Sequence, residues 1–156
     1  MHIASLIQHV DQLPRLAKLH HDAWSQVSRF TTVDDHIRKL ETRISHRPIP
    51  ATYILLIDSV VEGSVSLIDQ DDIDNVRPDL SPWLASLYVE PRHRRQGHGS
   101  ALVRHCILQA AKALCPRLYL YTDTHSQFYV RFGWQPIETR VSRGLDITIM
   151  ELKITL

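Results

Sequence analysis

Only two cysteines, Cys106 and Cys115, occur in the 156 residues, nine positions apart on or just past one expected helix. That separation along a helix axis is too long for a disulfide, and neither belongs to a Cys-x-x-Cys pair. Reduced thiols in a cytoplasmic protein are therefore expected, both as buried or half-buried bystanders. No apolar stretch is long enough to span a bilayer, and no charged segment followed by an apolar core opens the chain. Neither a membrane span nor a secretory signal is expected. An excess of charge of one sign is also lacking: 18 Lys and Arg face 17 Asp and Glu, a formal net charge of +1. That balance provides no global field toward nucleic acid or membrane. The 10 histidines are scattered, and none forms His-x3-His with a carboxylate or pairs with cysteine at zinc spacing. No metal site is expected, and the histidines are assigned to the surface. Internal repeats, low-complexity tracts and linkers are absent as well.

What remains, with 44% hydrophobic residues, fits one domain over residues 1–156 with a sizeable core. A short strand is expected at His2 to Gln8, then a helix capped by Asp11 with Pro14 in its first turn. Leu13, Leu16, Ala17, His20, Ala23, Trp24 and Val27 recur at helical spacing on its apolar face. A second helix reads from Val33 to Ser45, with Thr32 and Asp35 as a capping box and Val33, Ile37, Leu40 and Ile44 as its stripe. Tyr53 to Ile57 and Val60 to Ile68 form a hairpin about an Asp58-Ser59 turn. Asp69 to Ser81, carrying Asp69, Asp71, Asp72, Asp74 and Asp79, reads as a solvated loop; the alternative is a lure for a cationic amine.

Pro82-Trp83 opens a strand that delivers the most informative segment, Val89-Glu90-Pro91-Arg92-His93-Arg94-Arg95-Gln96-Gly97-His98-Gly99-Ser100. Glycines let the backbone approach a ligand and adopt positive φ. The amphipathic helix that follows, Ala101 to Leu114, begins with unpaired N–H groups and the positive end of a dipole. Glycines, helix start and arginines together make a pyrophosphate cradle. A P-loop is excluded because no lysine follows Gly99, and a dinucleotide fingerprint because Leu102 stands at its third glycine. The plainer alternative is a basic turn that caps a helix. Leu118 to Tyr121 then forms a strand, Ser126 to Phe132 a short helix ending at Gly133, and Pro136 to Ser142 with Asp146 to Lys153 a closing hairpin turned at Gly144.

The Arg94-x-x-Gly97-x-Gly99 pattern, preceded by Val89-x-Pro91, resembles the acyl-CoA signature of the GNAT superfamily of N-acyltransferases. Phe128-Tyr129-Val130-Arg131-Phe132-Gly133-Trp134 is similar to that family's late motif. The element order β-α-α-β-β-β-α-β-α-β-β, an α/β (α+β) domain on one mixed sheet of about seven strands with about four helices, is also the family's topology. The resemblance implies transfer of an acetyl group from acetyl-CoA to a primary amine, on a small molecule or a peptide, by direct attack and without metal. Tyr129 falls on the family's general acid; a phenol holds its proton at neutral pH. The resemblance also implies cofactor contacts from Leu87, Tyr88 and Val89 to the pantetheine arm, from the amides of Gln96, Gly97, His98, Gly99 and Ser100 to the pyrophosphate, and from Arg94, Arg95 and Arg131. Arg92 is either solvated or reaches the adenosine phosphate. The base is left open among Glu90, Asp69 and Asp71. Thr122-Asp123-Thr124 stands where the family usually has an asparagine. Leu118 to Trp134 also resembles the branch that acetylates protein amino termini. A monomer or homodimer acting without nucleic acid is expected, and the alternative function is a silent acyl-CoA-binding regulatory module.

Overall fold

The strands Ala51–Ile57 (β2) and Val60–Ile68 (β3) are almost wholly buried because both faces of the sheet are covered. Alternation decides which residue meets which layer. Tyr53 and Leu55 join the core under the third helix, whereas Ile54 and Leu56 join the core under the first two. The computed structural model describes residues 1–73 and 77–155; Asp74 of the acidic segment lies outside the described residues.

The remaining strands are β1 (His2–Ser5), β4 (Trp83–Val89), β5 (Arg117–Thr122), β6 (Gln135–Ser142) and β7 (Leu145–Lys153). The helices are α1 (Leu13–Trp24), α2 (Val33–Glu41), α3 (His98–Lys112) and α4 (Ser126–Val130). One 7-stranded sheet runs β1-β2-β3-β4-β5-β7-β6, and its pairs are antiparallel apart from β4 with β5. The element order and the mixed sheet are those expected from the sequence. Helix α3 lays Leu102, Val103, Cys106 and Ala110 on one face of the sheet. Helices α1 and α2 pack Leu13, Leu16, Ala17 and Leu40 on the other. The described parts of the Asp69 to Ser81 segment, residues 69–73 and 77–81, form no helix or strand, and they deliver Ile73 and Leu80 to a third cluster around Trp83, Ile147 and Ile149. No helix among the described residues is long and apolar enough to cross a membrane.

Several local expectations are corrected. The first strand stops at Ser5, and two 3-10 turns, Leu6–Gln8 and Val10–Gln12, follow it. Gln12 rather than Asp11 precedes α1, and no side chain caps that helix. The Thr32/Asp35 capping box is present, but α2 ends at Glu41. Its buried face is His36, Lys39 and Leu40, continued by Arg43, while Val33, Ile37 and Ile44 pack only partly. Two histidines, His20 and His36, are completely buried rather than on the surface. Both cysteines are free, Cys106 buried and Cys115 half-buried.

Glu62 on β3 ties the sheet to its surroundings. Its carboxylate, 2% exposed, meets Arg15 of α1 at 2.8 Å, Arg92 at 2.7 Å and His93 at 3.3 Å. Arg92 pairs with this carboxylate while most of its side chain stays in solvent, as the solvated alternative expected. Glu62→Ala should lower the melting temperature by roughly 3–10 °C, since the arginines regain water but the anchor between α1 and the glycine loop is lost. A thermal melt with no shift would contradict that role.

Candidate active site

Strands β4 and β5 run parallel but share only one register pair, Trp83 with Tyr119. Beyond it they splay, and residues 84–89 of β4 have no pairing partner on the β5 side. A cleft of about 1180 Å³ opens in the gap, lined by Leu87, Tyr88 and Val89 from β4 and by Tyr129 from α4. Unpaired strand edges offer N–H and C=O groups to an extended ligand, as an added strand does.

The splay coincides with a bulge in β4. Ser64 pairs with Tyr88 and Ser66 with Ala85, so β4 spends one residue more than β3. Ser86 sits there at φ 53°, a conformation unfavourable for a residue with a Cβ. It is held from behind: Arg43 Nη1 donates to Ser86 Oγ at 3.0 Å, and Ser64 Oγ donates to Ser86 O at 3.0 Å. Ser64 in turn lies 2.8 Å from His20 Nε2, and His20 Nδ1 lies 3.1 Å from Lys39 Nζ. With Lys39 donating, His20 carries its proton on Nε2 and every bond of the chain points toward the bulge.

At one end of the cleft the glycine loop turns into α3. Arg95 at φ 61° and Gly97 at φ 85° reverse the backbone, and Gly97 precedes the helix without any side-chain cap. The first N–H groups of α3 thus keep no intrahelical partner. A Cβ added to Gly97 would meet nothing within 4 Å, so the space it would fill is open. Arg94, Arg95, Gly97, Gly99 and Ser100 line the cleft; Gln96 and His98 do not. Arg94 Nε donates to Val89 O at 2.7 Å, and its guanidinium lies 5.6 Å from the Tyr88 ring centroid. Arg131 also lines the cleft and rests on the Phe128 ring at 5.1 Å.

Tyr129 is 7% exposed, wedged edge-on against Phe128 and Trp134 with centroids at 5.1 and 6.1 Å. Burial pushes its phenol well above the usual tyrosine range, so it keeps its proton at neutral pH. Thr122 Oγ1 accepts from the His125 N–H at 3.0 Å and shapes the turn into α4. Glu90, open as a base in the sequence, accepts instead from the Tyr88 hydroxyl at 2.8 Å.

The other end of the cleft holds Lys39 and Arg43, which the sequence did not single out, beside Asp71, which it did. Lys39 reaches it from α2 and Arg43 from the turn just past that helix, Trp24 and Phe30 from α1 and its exit, and Asp71 and Asp72 from the loop after β3. Desolvation, with repulsion from Arg43, brings the Lys39 ammonium down to about 7. Desolvation raises the Asp71 carboxyl to about 6. Burial, then Lys39, keeps His20 neutral, and burial lowers His36 to about 4. The signal for this end was present as His36, Lys39 and Arg43 at helical spacing, but a polar stripe reads as a solvated face.

Acetyl-CoA, which such a fold implies, suits the residues present: an unpaired strand edge, an open space over Gly97, and uncapped N–H groups beside arginines. These features define an acetyltransferase-type cleft. Residues 50–136, more than half of the chain, match the acetyltransferase (GNAT) domain, and the chain belongs to that family. No match emerges among curated protein sequences. Among solved structures, aminoglycoside 6′-acetyltransferase type Ii superposes with a TM-score of 0.77 at 17% identity, covering 100% of this chain and 99% of that one. A Salmonella typhimurium protein solved with its cofactor acetyl-CoA has a TM-score of 0.75 at 17% identity over 100% and 95% of the two chains. The ribosomal-protein-alanine N-acetyltransferase from Brucella melitensis has a TM-score of 0.74 at 18% identity over 98% and 99%. At such identities the likeness is one of fold.

Proposed function

We propose that the protein is an acetyl-CoA-dependent N-acetyltransferase that acetylates a primary amine by direct attack. The observation that carries this reading is convergence: the open edge of β4, the glycine loop and the Tyr129 phenol all face one cleft. Bound acetyl-CoA would supply the activated thioester. Leu87, Tyr88 and Val89 hold the pantetheine arm along β4, and a β4 N–H polarises the thioester carbonyl. The amides of Gly97, Gly99 and Ser100 hold the pyrophosphate; Arg94, Arg95 and Arg131 supply positive charge nearby. Tyr129 Oη gives its proton to the departing thiolate.

The acceptor amine has to shed a proton before or during attack, since a free alkylammonium titrates near 10. Asp71 is the group suited to take it. It lines the same cleft and makes no ion pair with a described residue, and a base near 6 is ionised at neutral pH yet still basic. Asp69 is exposed and outside the cleft lining, and Glu90 is engaged by Tyr88.

The test is release of free thiol from acetyl-CoA across a panel of amino acids, peptides, polyamines and aminoglycosides. Turnover dependent on one acceptor class supports the reading. Binding of acetyl-CoA with no turnover on any of them would favour a silent acyl-CoA-binding module. Gly97→Val should raise the CoA dissociation constant at least about tenfold, because a β-branched side chain strains φ 85° and fills the cradle. Calorimetry with CoA checks this, and unchanged affinity would remove the loop from the binding site.

A further inference from the structure

We infer that the acceptor arm recognises an amine that also carries a carboxylate, with the carboxylate seated between Lys39 and Arg43. The inference rests on the transferase reading above and names its substrate class. Lys39 and Arg43 are 7% and 8% exposed, yet neither forms an ion pair with a carboxylate among the described residues. Lys39 Nζ instead lies 3.1 Å from Nδ1 of both His20 and His36, and 5.7 and 5.5 Å from the Trp24 and Phe30 ring centroids. Arg43 uses only Nη1, bonded to the hydroxyls of Ser66 at 3.2 Å and Ser86 at 3.0 Å. Its Nε and Nη2 edge, the fork that takes a carboxylate two-handed, makes no hydrogen bond to a described residue.

The surroundings do not cancel this charge. A second cavity of about 870 Å³ meets the cleft at a collar shared by Phe30, Lys39, Arg43, Asp71, Asp72 and Arg143. Asp72 is engaged by Arg143 at 2.8 Å and Arg29 at 3.1 Å. That leaves one carboxylate, Asp71, facing the Arg43 guanidinium and a Lys39 amine held near 7, whose charged form an incoming anion would favour. Buried charge is costly unless paired, so the collar favours a ligand that brings an anion. A polyamine or aminoglycoside would add positive charge to it. A zwitterion completes it, with its amine toward Asp71 and its carboxylate on Lys39 and Arg43.

The experiment compares amino acids with their decarboxylated amines: L-phenylalanine with phenethylamine, L-leucine with isoamylamine, and L-lysine with cadaverine. Binding is read by calorimetry on CoA-loaded protein, and transfer by kcat/KM. The parent amino acids should bind about 10–100-fold more tightly than their decarboxylated partners, the range of one charge-assisted carboxylate contact. Lys39→Met, which removes the charge at similar length, should erase most of that preference in protein whose fold is confirmed by circular dichroism, and Lys39→Arg should keep it. A binding preference without transfer would uphold the charge inference while the transferase reading fails. Equal or better binding of the decarboxylated amines would overturn the inference. So would a Lys39→Met variant that loses all acceptors alike.

Discussion

Tyr129→Phe is expected to lower kcat by about 10²–10⁴-fold with little change in acetyl-CoA affinity. The substitution removes one oxygen and keeps the ring, so the packing against Phe128 and Trp134 survives. What disappears is the proton donor. The Tyr129 hydroxyl makes no hydrogen bond to a described residue while its side chain lines the cleft, which leaves it available to a departing thiolate. Its burial raises the phenol far above neutral pH, so the donor stays loaded throughout the working range. The checks are steady-state thiol release for kcat and calorimetry for acetyl-CoA. A variant with wild-type kcat would show that the proton reaches the thiolate by another route. A variant that no longer bound acetyl-CoA would make Tyr129 a packing residue.

Asp71→Asn should cost about 10²-fold in kcat/KM and change the shape of the pH profile. A raised carboxyl is protonated, and useless as a base, below its pKa. In the wild-type protein kcat/KM should therefore climb as pH rises through about 6. Asparagine has no such titration, so that limb should vanish together with most of the rate. The limb would sit apart from the acceptor's own ionisation near 10. If the limb persisted unchanged in Asp71→Asn, the base would be another group.

The parts of this chain that could be read in advance are those whose cause is local. The continuous apolar run of β2 announces a strand, and the Asp58-Ser59 turn announces its hairpin with β3. Thr32 and Asp35 announce the start of α2 three residues apart. Gly97 marks the positive-φ turn into α3, and Gly99 falls in the first turn of that helix. The parts that escaped depend on distant partners. Ser86 adopts φ 53° because Arg43 and Ser64, 43 and 22 residues away, grip its two oxygens. Arg92 looked free until β3 folded Glu62 against it. The polar residues His36, Lys39 and Arg43 turn inward because the cleft side of α2 meets His20 and the serines of β3 and β4 rather than water. Periodicity locates an apolar face, and here it misphased a helix whose inner face is charged.

The central claim is that this cleft moves an acetyl group from a thioester to nitrogen. The most direct test incubates the purified protein with acetyl-CoA and the amine panel, measuring free CoA and acetylated amine together by mass spectrometry. The account predicts one N-acetylated amine for each CoA released, on acceptors of one chemical class. Release of CoA with no acetylated amine, or acetylation on oxygen or sulfur alone, would contradict it.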